Sequence, residues 1–237
     1  MRSFLSLPVA AVAMLTLHGC GIDLDPAGPV ETMTKSVETG KAEQVKAVLR
    51  FPVGKVTVKG GGSKLMDGTF KFDRPAYKPV IEYDDSSFRG QLTIRTERSS
   101  SGPGSTRGTH WDLTMSEKVP LEMEIHAGVG EAHLDFTKAD LRGLELHMGV
   151  GEVDLDLTGT PQRSYRVEVK GGVGEATIRL PRSVGVRAKA SGGIGGIDTR
   201  GLRKDGNYYV NDQYGKNPVT VEVDARGGVG AIKLIAE

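Results

Sequence analysis

Gly128-Val129-Gly130-Glu131 is flanked by two alternating runs, Leu121-Glu122-Met123-Glu124-Ile125-His126-Ala127 before it and Ala132-His133-Leu134-Asp135-Phe136 after it. Apolar side chains fall on odd positions in the first run and on even positions in the second. Period-two alternation marks a strand with one buried face, and a shift of one residue would turn a straight strand inside out. The motif must therefore absorb a change of phase. Glycine accepts the positive φ of a bulge or sharp corner, so the motif reads as a bend between two strand segments facing the same interior, not as a ligand loop. On this reading the valine between the glycines points into the core.

The unit recurs at Gly149-Val150-Gly151-Glu152 and Gly172-Val173-Gly174-Glu175. It decays to Gly193-Ile194-Gly195-Gly196 and Gly228-Val229-Gly230-Ala231, and Pro52-Val53-Gly54-Lys55 is a cruder form. Successive copies from Gly128 start 21, 23, 21 and 35 residues apart. The excess in the last interval reads as an insertion around Lys204–Asn217. A period of 21–23 residues, long enough for two strands and their corners, indicates stacked rungs. The leucine–asparagine pattern of a leucine-rich repeat is missing. Short strands with frequent turns also suit a sandwich, but the fixed period favours an all-β, single-chain β-solenoid.

Composition agrees: 33 of 237 residues are Gly and only 5% are aromatic, which suits thin, corner-rich rungs. With 31 basic and 30 acidic residues the net charge is +1, leaving no basic field to attract nucleic acid. Beyond the first 20 residues no apolar run approaches the roughly 18 residues needed to cross a bilayer.

Residues 1–19 have the anatomy of a signal peptide, with Arg2 followed by a mostly apolar run from Phe4 to Leu17. The run closes on Leu17-His18-Gly19-Cys20, which resembles the bacterial lipobox, with His18 an unusual occupant. That resemblance makes Cys20 the lipidated N-terminus of the mature chain and its membrane anchor. Gly21 in the next position favours the outer membrane if the cell is Gram-negative. Cys20 is the only cysteine, so no internal disulfide forms. Residues 20–43, polar and carrying Pro26 and Pro29, read as a tether that pairs as a first strand near its end.

Residues 44–120 form an N-terminal β region with expected strands at Thr69–Phe72, Pro79–Tyr83 and Gln91–Thr96, a flexible loop over Ser99–Gly108, and Trp111 as a cover for the end of the core. Residues 121–237 form the repeat solenoid. Its last strand, Ile232–Ile235, has no later segment to cover it and is expected to pack on another element or another subunit.

Several blocks carry a family resemblance. Lys64-Leu65-Met66-Asp67-Gly68-Thr69-Phe70, Pro79-Val80-Ile81-Glu82-Tyr83, Leu92-Thr93-Ile94 and Trp111-Asp112-Leu113 resemble the N-terminal part of the toast-rack family. The Gly-Val-Gly-Glu rungs resemble its C-terminal part, which is similar to the soluble domain of LiaF-type proteins of the cell-wall antibiotic response. The resemblance covers roughly residues 44–237. It implies a single-chain β-solenoid of the bacterial envelope, non-enzymatic, with stress-sensing or adhesive roles. It supplies no catalytic motif, and the membrane helices of LiaF-type proteins have no counterpart here.

Candidate chemistry is sparse. In register, Glu131, Glu152 and Glu175 would form a carboxylate row about 5 Å apart, suited either to Ca²⁺ or to solvent. His126 and His147 hold equivalent outward positions, followed in chain order by Lys170, Ser191 and Arg226; with Glu124 or Glu145 beside them they are the candidate Zn²⁺ or Cu²⁺ ligands. Asp154 and Asp156, or Arg187 and Lys189, are spaced as in polysaccharide-active β-helix enzymes, but no nucleophile motif, phosphate loop or HExxH occurs. Tyr208, Tyr209 and Tyr214 in the insertion have the make-up of a recognition loop or of a hairpin cover packed on the core. The chain is thus expected to be a non-enzymatic envelope lipoprotein for binding, scaffolding or stress-sensing, without a cofactor, engaging a protein, a cell-wall glycan or its own copies. The alternatives are a polysaccharide-active enzyme and a metal-binding envelope protein.

Overall fold

The computed structural model describes residues 28–97 and 109–237. The signal-peptide, lipidation and Ser99–Gly108 loop expectations lie outside the described residues. Among these residues the secondary structure is strand apart from one 3₁₀ turn at Pro75–Tyr77. The strands are β1 (Glu31–Val37), β2 (Gln44–Gly62), β3 (Met66–Phe72), β4 (Pro79–Asp84), β5 (Arg89–Thr96), β6 (His110–Ser116), β7 (Leu121–Asp135), β8 (Leu141–Asp156), β9 (Tyr165–Leu180), β10 (Gly185–Ile194), β11 (Ile197–Arg200), β12 (Arg203–Asp205), β13 (Tyr208–Val210), β14 (Thr220–Val229) and β15 (Ile232–Ala236).

In β2, β7, β8 and β9 each rung is one long strand bent at its glycine corner; in the last two copies the corner separates β10 from β11 and β14 from β15. The segment before the corner forms arm 1 and the segment after it forms arm 2. Parallel pairing of β2 with β7, β7 with β8 and β8 with β9 keeps both arms in register. Residues 136–140 and 157–164 return the chain from arm 2 to the start of the next arm 1, so successive rungs coil as a solenoid. The space between the arms is filled by one apolar core, in which Ile125, Leu146, Leu155, Val167 and Ile178 are fully buried. The segments on either side of residue 120 share this sheet and this core. Trp111 is buried there too, edge-on to Phe51 and Phe70 at 5.0 and 5.5 Å.

At the corners, the second glycine of every copy has positive φ, from +114° at Gly54 to +141° at Gly151. Conformation is only half of the requirement. A Cβ on Gly151 would overlap the carbonyl oxygen of Gly130 in the rung below, and one on Gly174 would overlap that of Gly151. The first glycine is confined in the same way, Gly149 by the carbonyl of Gly128. Rungs stack at about 4.8 Å only because nothing projects from these positions.

The valines between the glycines do not point into the core. Val129, Val150, Val173 and Val229 are between 45% and 50% exposed, and Ile194 is 73% exposed. The corner is a convex vertex: the last inward residue of arm 1 is Ala127, the first of arm 2 is Ala132, and the residues between them lie outside the angle. A branched side chain directed inward would have to fit where the arms converge.

The rungs are not stacked in chain order. β14 lies between β9 and β10, and β15 lies between β9 and β11. The spatial series is β2, β7, β8, β9, β14/β15, β10/β11, so the chain skips one place and fills it with its last copy. The terminal strand β15 is therefore paired on both edges within the molecule. The insertion returns the chain to that place and also supplies an antiparallel hairpin, β12–β13, on the outer edge of β10. Asn211 pins this hairpin: its Oδ1 accepts from the amides of Val186 (2.9 Å) and Tyr214 (3.1 Å), and its Nδ2 donates to the carbonyls of Pro181 (3.2 Å) and Val184 (2.7 Å). A buried amide with every one of its groups paired is strongly positional.

At the other end, β5 and β6 pair with the two arms of β2 as separate strands. β4 covers β5, while β3 and then β1 cover β6, all antiparallel. Residues 31–37 of the expected tether are thus an integral strand.

Gly151→Ala is expected to lower unfolding free energy by at least about 2 kcal/mol, combining positive-φ strain with displacement of a neighbouring rung. Gly192→Ala, where nothing lies within 4 Å of the added Cβ, should change it by less than about 1 kcal/mol. Denaturant titration of the two variants checks this.

Candidate functional site

The convex edge at the corners gathers most of the outward chemistry. Register places Val53, Val129, Val150, Val173, Val229 and Ile194 in a single ridge. On the arm 1 side runs a row of Arg95, Arg50, His126, His147, Lys170, Arg226 and Ser191, with the last two exchanged relative to chain order because β14 precedes β10 in space. The groove along this row, about 740 Å³, is lined by Arg50, Arg95, His126, His147 and Lys170, with Glu97 at one end and corner backbone along its side.

A second row, two residues nearer the arm's start, contains Glu124, Glu145, Glu168 and Asp224. Cross-row pairs join them. Lys170 Nζ lies 2.9 Å from Glu168, and Arg226 Nη2 lies 2.6 Å from Asp224. Lys46 Nζ donates to Glu124 at 2.8 Å, and His126 Nε2 lies 2.7 Å from the other Glu124 oxygen. The Lys46 and then the His126 hydrogen bonds pull the Glu124 carboxyl down to about 2. Hydrogen bonding to Arg226 likewise lowers Asp224. Arg50, His147 and Glu145 have no such ion-pair partner among the described residues.

The candidate metal ligands His126 and His147 do come together, but as a parallel stack with centroids 4.9 Å apart and planes 8° apart. Parallel rings direct their nitrogen lone pairs alongside one another, whereas a shared metal needs them to converge. Among the described residues no group of three or more His, Cys, Asp or Glu side chains is placed to hold a metal ion.

Glu131, Glu152 and Glu175 form the expected row on the arm 2 side of the ridge. Lys55 lies 3.2 Å from Glu131 and Lys233 2.5 Å from Glu175, so two of the three are neutralised by cations rather than left to gather one.

The tyrosines of the insertion do not converge. Tyr208 lies 3.7 Å beneath the Arg187 guanidinium, Tyr209 packs against the core, and the Tyr214 amide is held by Asn211. The carboxylates with enzyme-like spacing are both engaged. Asp154 pairs with Arg179, while Asp156 accepts from the Thr158 amide at 2.9 Å and its hydroxyl at 2.6 Å. Asp135 caps Thr137 in the same way one rung earlier. This repeated Asp-x-Thr was visible in the sequence as Asp135-Phe136-Thr137 and Asp156-Leu157-Thr158, and its role is to close the turn at the arm 2 end.

Because the folded Glu124 carboxyl lies below its ordinary value of 4.5, its stabilisation is complete above that value and is lost as pH falls toward 2. Glu124→Gln should cost on the order of 0.5–1 kcal/mol near pH 7. The difference from the parent chain should close between pH 4.5 and 2, as read by thermal unfolding at a series of pH values.

The fold has a close counterpart among solved structures. A protein from Clostridium sporogenes described as a "putative cell adhesion protein" is 38% identical, with a TM-score of 0.83 over 88% of this chain and 100% of its own. A "putative adhesin" from Bacteroides fragilis is 13% identical, with a TM-score of 0.34 over 89% of this chain and 99% of its own. Another from Parabacteroides distasonis is 13% identical, with a TM-score of 0.30 over 87% and 97%. Among curated proteins none matches. The family model for the N-terminal domain of toast_rack matches residues 26–179, from before β1 almost to the end of β9. With that match across more than half its length, and the same bent-rung fold in a relative at 38% identity, the chain belongs to the toast-rack family.

Proposed function

We propose that this chain is a non-enzymatic binding and scaffolding module of the bacterial envelope, held to a membrane by lipid on Cys20 and used for adhesive contact with another envelope protein. The observation that carries this reading is the set of registered outward rows. Parallel rungs repeat each outward position at about 4.8 Å, and cross-row ion pairs such as Lys170 with Glu168 and Arg226 with Asp224 hold the side chains in place. A rigid, repeated face of this kind offers a preordered surface, which lowers the ordering cost of association. The likeness to a protein described as a "putative cell adhesion protein" supports the same reading. The engagement of Asp154 by Arg179 and of Asp156 by Thr158 argues against these carboxylates as an acid–base pair. The lipobox-like Leu17-His18-Gly19-Cys20 supports the anchor, and Gly21 supports an outer-membrane address in a Gram-negative cell.

The test is photocrosslinking in the native cell, with the reactive residue placed at exposed Glu145 on arm 1 or Asp112 on arm 2. A discrete protein adduct from one arm is expected. Absence of any adduct from both arms, or glycan turnover by the purified chain that Asp154→Ala abolishes, would contradict the proposal.

A further inference from the structure

Five exposed β-branched side chains in one line, continued by half-buried Val53, put five of the eight exposed large hydrophobic residues of the described surface on the corner ridge. Six positions at about 4.8 Å give a length of roughly 24 Å. Glycines on both sides leave the ridge without polar side chains beside each valine. Contiguous apolar surface of this kind marks a contact site rather than scattered surface residues.

The path of the chain indicates what covers it. β6 runs from its corner end at His110, which pairs with Lys55, toward Ser116. β3 is antiparallel to β6, so Phe72 lies at the corner end, and β1 starts opposite Phe72 at Glu31. The Gly28 amide bonds to the Asp73 carbonyl beyond that end. The chain therefore enters the fold at the corner edge, three strands from the start of the ridge, a lateral offset of roughly 14 Å. Between Cys20 and Glu31 there are eleven peptide steps, which reach no further than roughly 38 Å. The described chain thus begins at the ridge edge, and not at the opposite ends of the arms, and a tether of this length is long enough to set that edge against the membrane.

Charge favours the same orientation. Arg50 and His147, in the arm 1 row nearest the ridge, have no carboxylate partner among the described residues, while Lys170 and Arg226 farther along that row are paired with Glu168 and Asp224. On the arm 2 side, Glu131 and Glu175 are paired with Lys55 and Lys233, leaving Glu152 as the acid of its row without an ion-pair partner among the described residues. We infer that the corner edge is a bilayer-docking surface, with the valine ridge at the lipid interface and the arm 1 basic row toward the headgroup phosphates. This rests on the reading of Cys20 as the lipid anchor. Docking would add a second point of attachment to the lipid anchor, directing both arms away from the membrane.

The experiment uses the full processed chain in vesicles of phosphatidylethanolamine and phosphatidylglycerol. With Cys20 blocked by lipid, a single new thiol at Val150→Cys on the ridge or Lys138→Cys at the far end of the arms carries an environment-sensitive fluorophore. Brominated lipids should quench the ridge probe several-fold more than the far probe. Val129→Asp with Val173→Asp should abolish that difference while the anchor still floats the protein with the vesicles. Flotation with both probes equally unquenched overturns the docking inference and leaves the anchor reading intact. Failure to float removes the anchor reading; quenching of the ridge probe in the Cys20→Ser chain mixed with vesicles would then sustain docking, and its absence would overturn it.

Discussion

The close approach of one corner's backbone to the next is the contact on which the remaining structure depends. Where Gly151 crosses Gly130, and Gly174 crosses Gly151, the carbonyl oxygen of one rung occupies the volume that a side chain would take in its neighbour. Two long bent strands can therefore stay hydrogen-bonded through the vertex instead of separating into two sheets. Continuity through the vertex fixes both arms in one register, and that register buries Leu144, Leu146, Val153 and Leu155 of β8 against their counterparts. The apolar core supplies most of the driving force, but the corner decides which geometry the core can adopt.

A stack of parallel strands has two ends, and exposed edges invite unwanted pairing. This chain covers three of its four arm ends with antiparallel strands: β4 on β5, β3 on β6, and β13 on β10. The fourth, β11, is only four residues long and carries Asp198 and Arg200, devices that discourage edge-to-edge association. Returning β14 and β15 to the interior of the stack serves the same end. The final strand gains two neighbours, and the penultimate copy, already followed by the hairpin, becomes the outer rung.

Much of this was legible in the sequence, because period-two alternation and a glycine repeat are local signals. The phase change from Ala127 to Ala132 gave the bend, the 21–23-residue spacing gave the rungs, and the blocks at Met66–Phe72, Pro79–Asp84 and Arg89–Thr96 appeared close to their expected bounds. Two features were not legible for a common reason. The outward direction of Val129, Val150 and Val173 depends on whether the vertex is convex, which counting residues along one strand cannot reveal. The order of rungs depends on which of several nearly equivalent glycine corners meets which. Gly228-Val229-Gly230 and Gly193-Ile194-Gly195 carry the same glycine pattern, so the motif alone does not say which of them meets Gly172-Val173-Gly174. The longer last interval carried the information, but as an excursion with no stated destination. At the edge, the alignment of His126 with His147 was readable, whereas their parallel stacking follows from ring packing.

The most direct test of this account is a disulfide comparison across the stack, in a Cys20→Ser background so that only the introduced thiols are present. Lys170 and Arg226 are registered neighbours on β9 and β14, and Ser191 lies one rung beyond Arg226. Neighbouring strands place Cα atoms within disulfide reach, whereas a two-rung separation of roughly 9.6 Å does not. The account predicts that Lys170→Cys with Arg226→Cys oxidises to an intramolecular bond, while Lys170→Cys with Ser191→Cys remains reduced under the same conditions. A bond in the second pair and none in the first would place the rungs in chain order and contradict it.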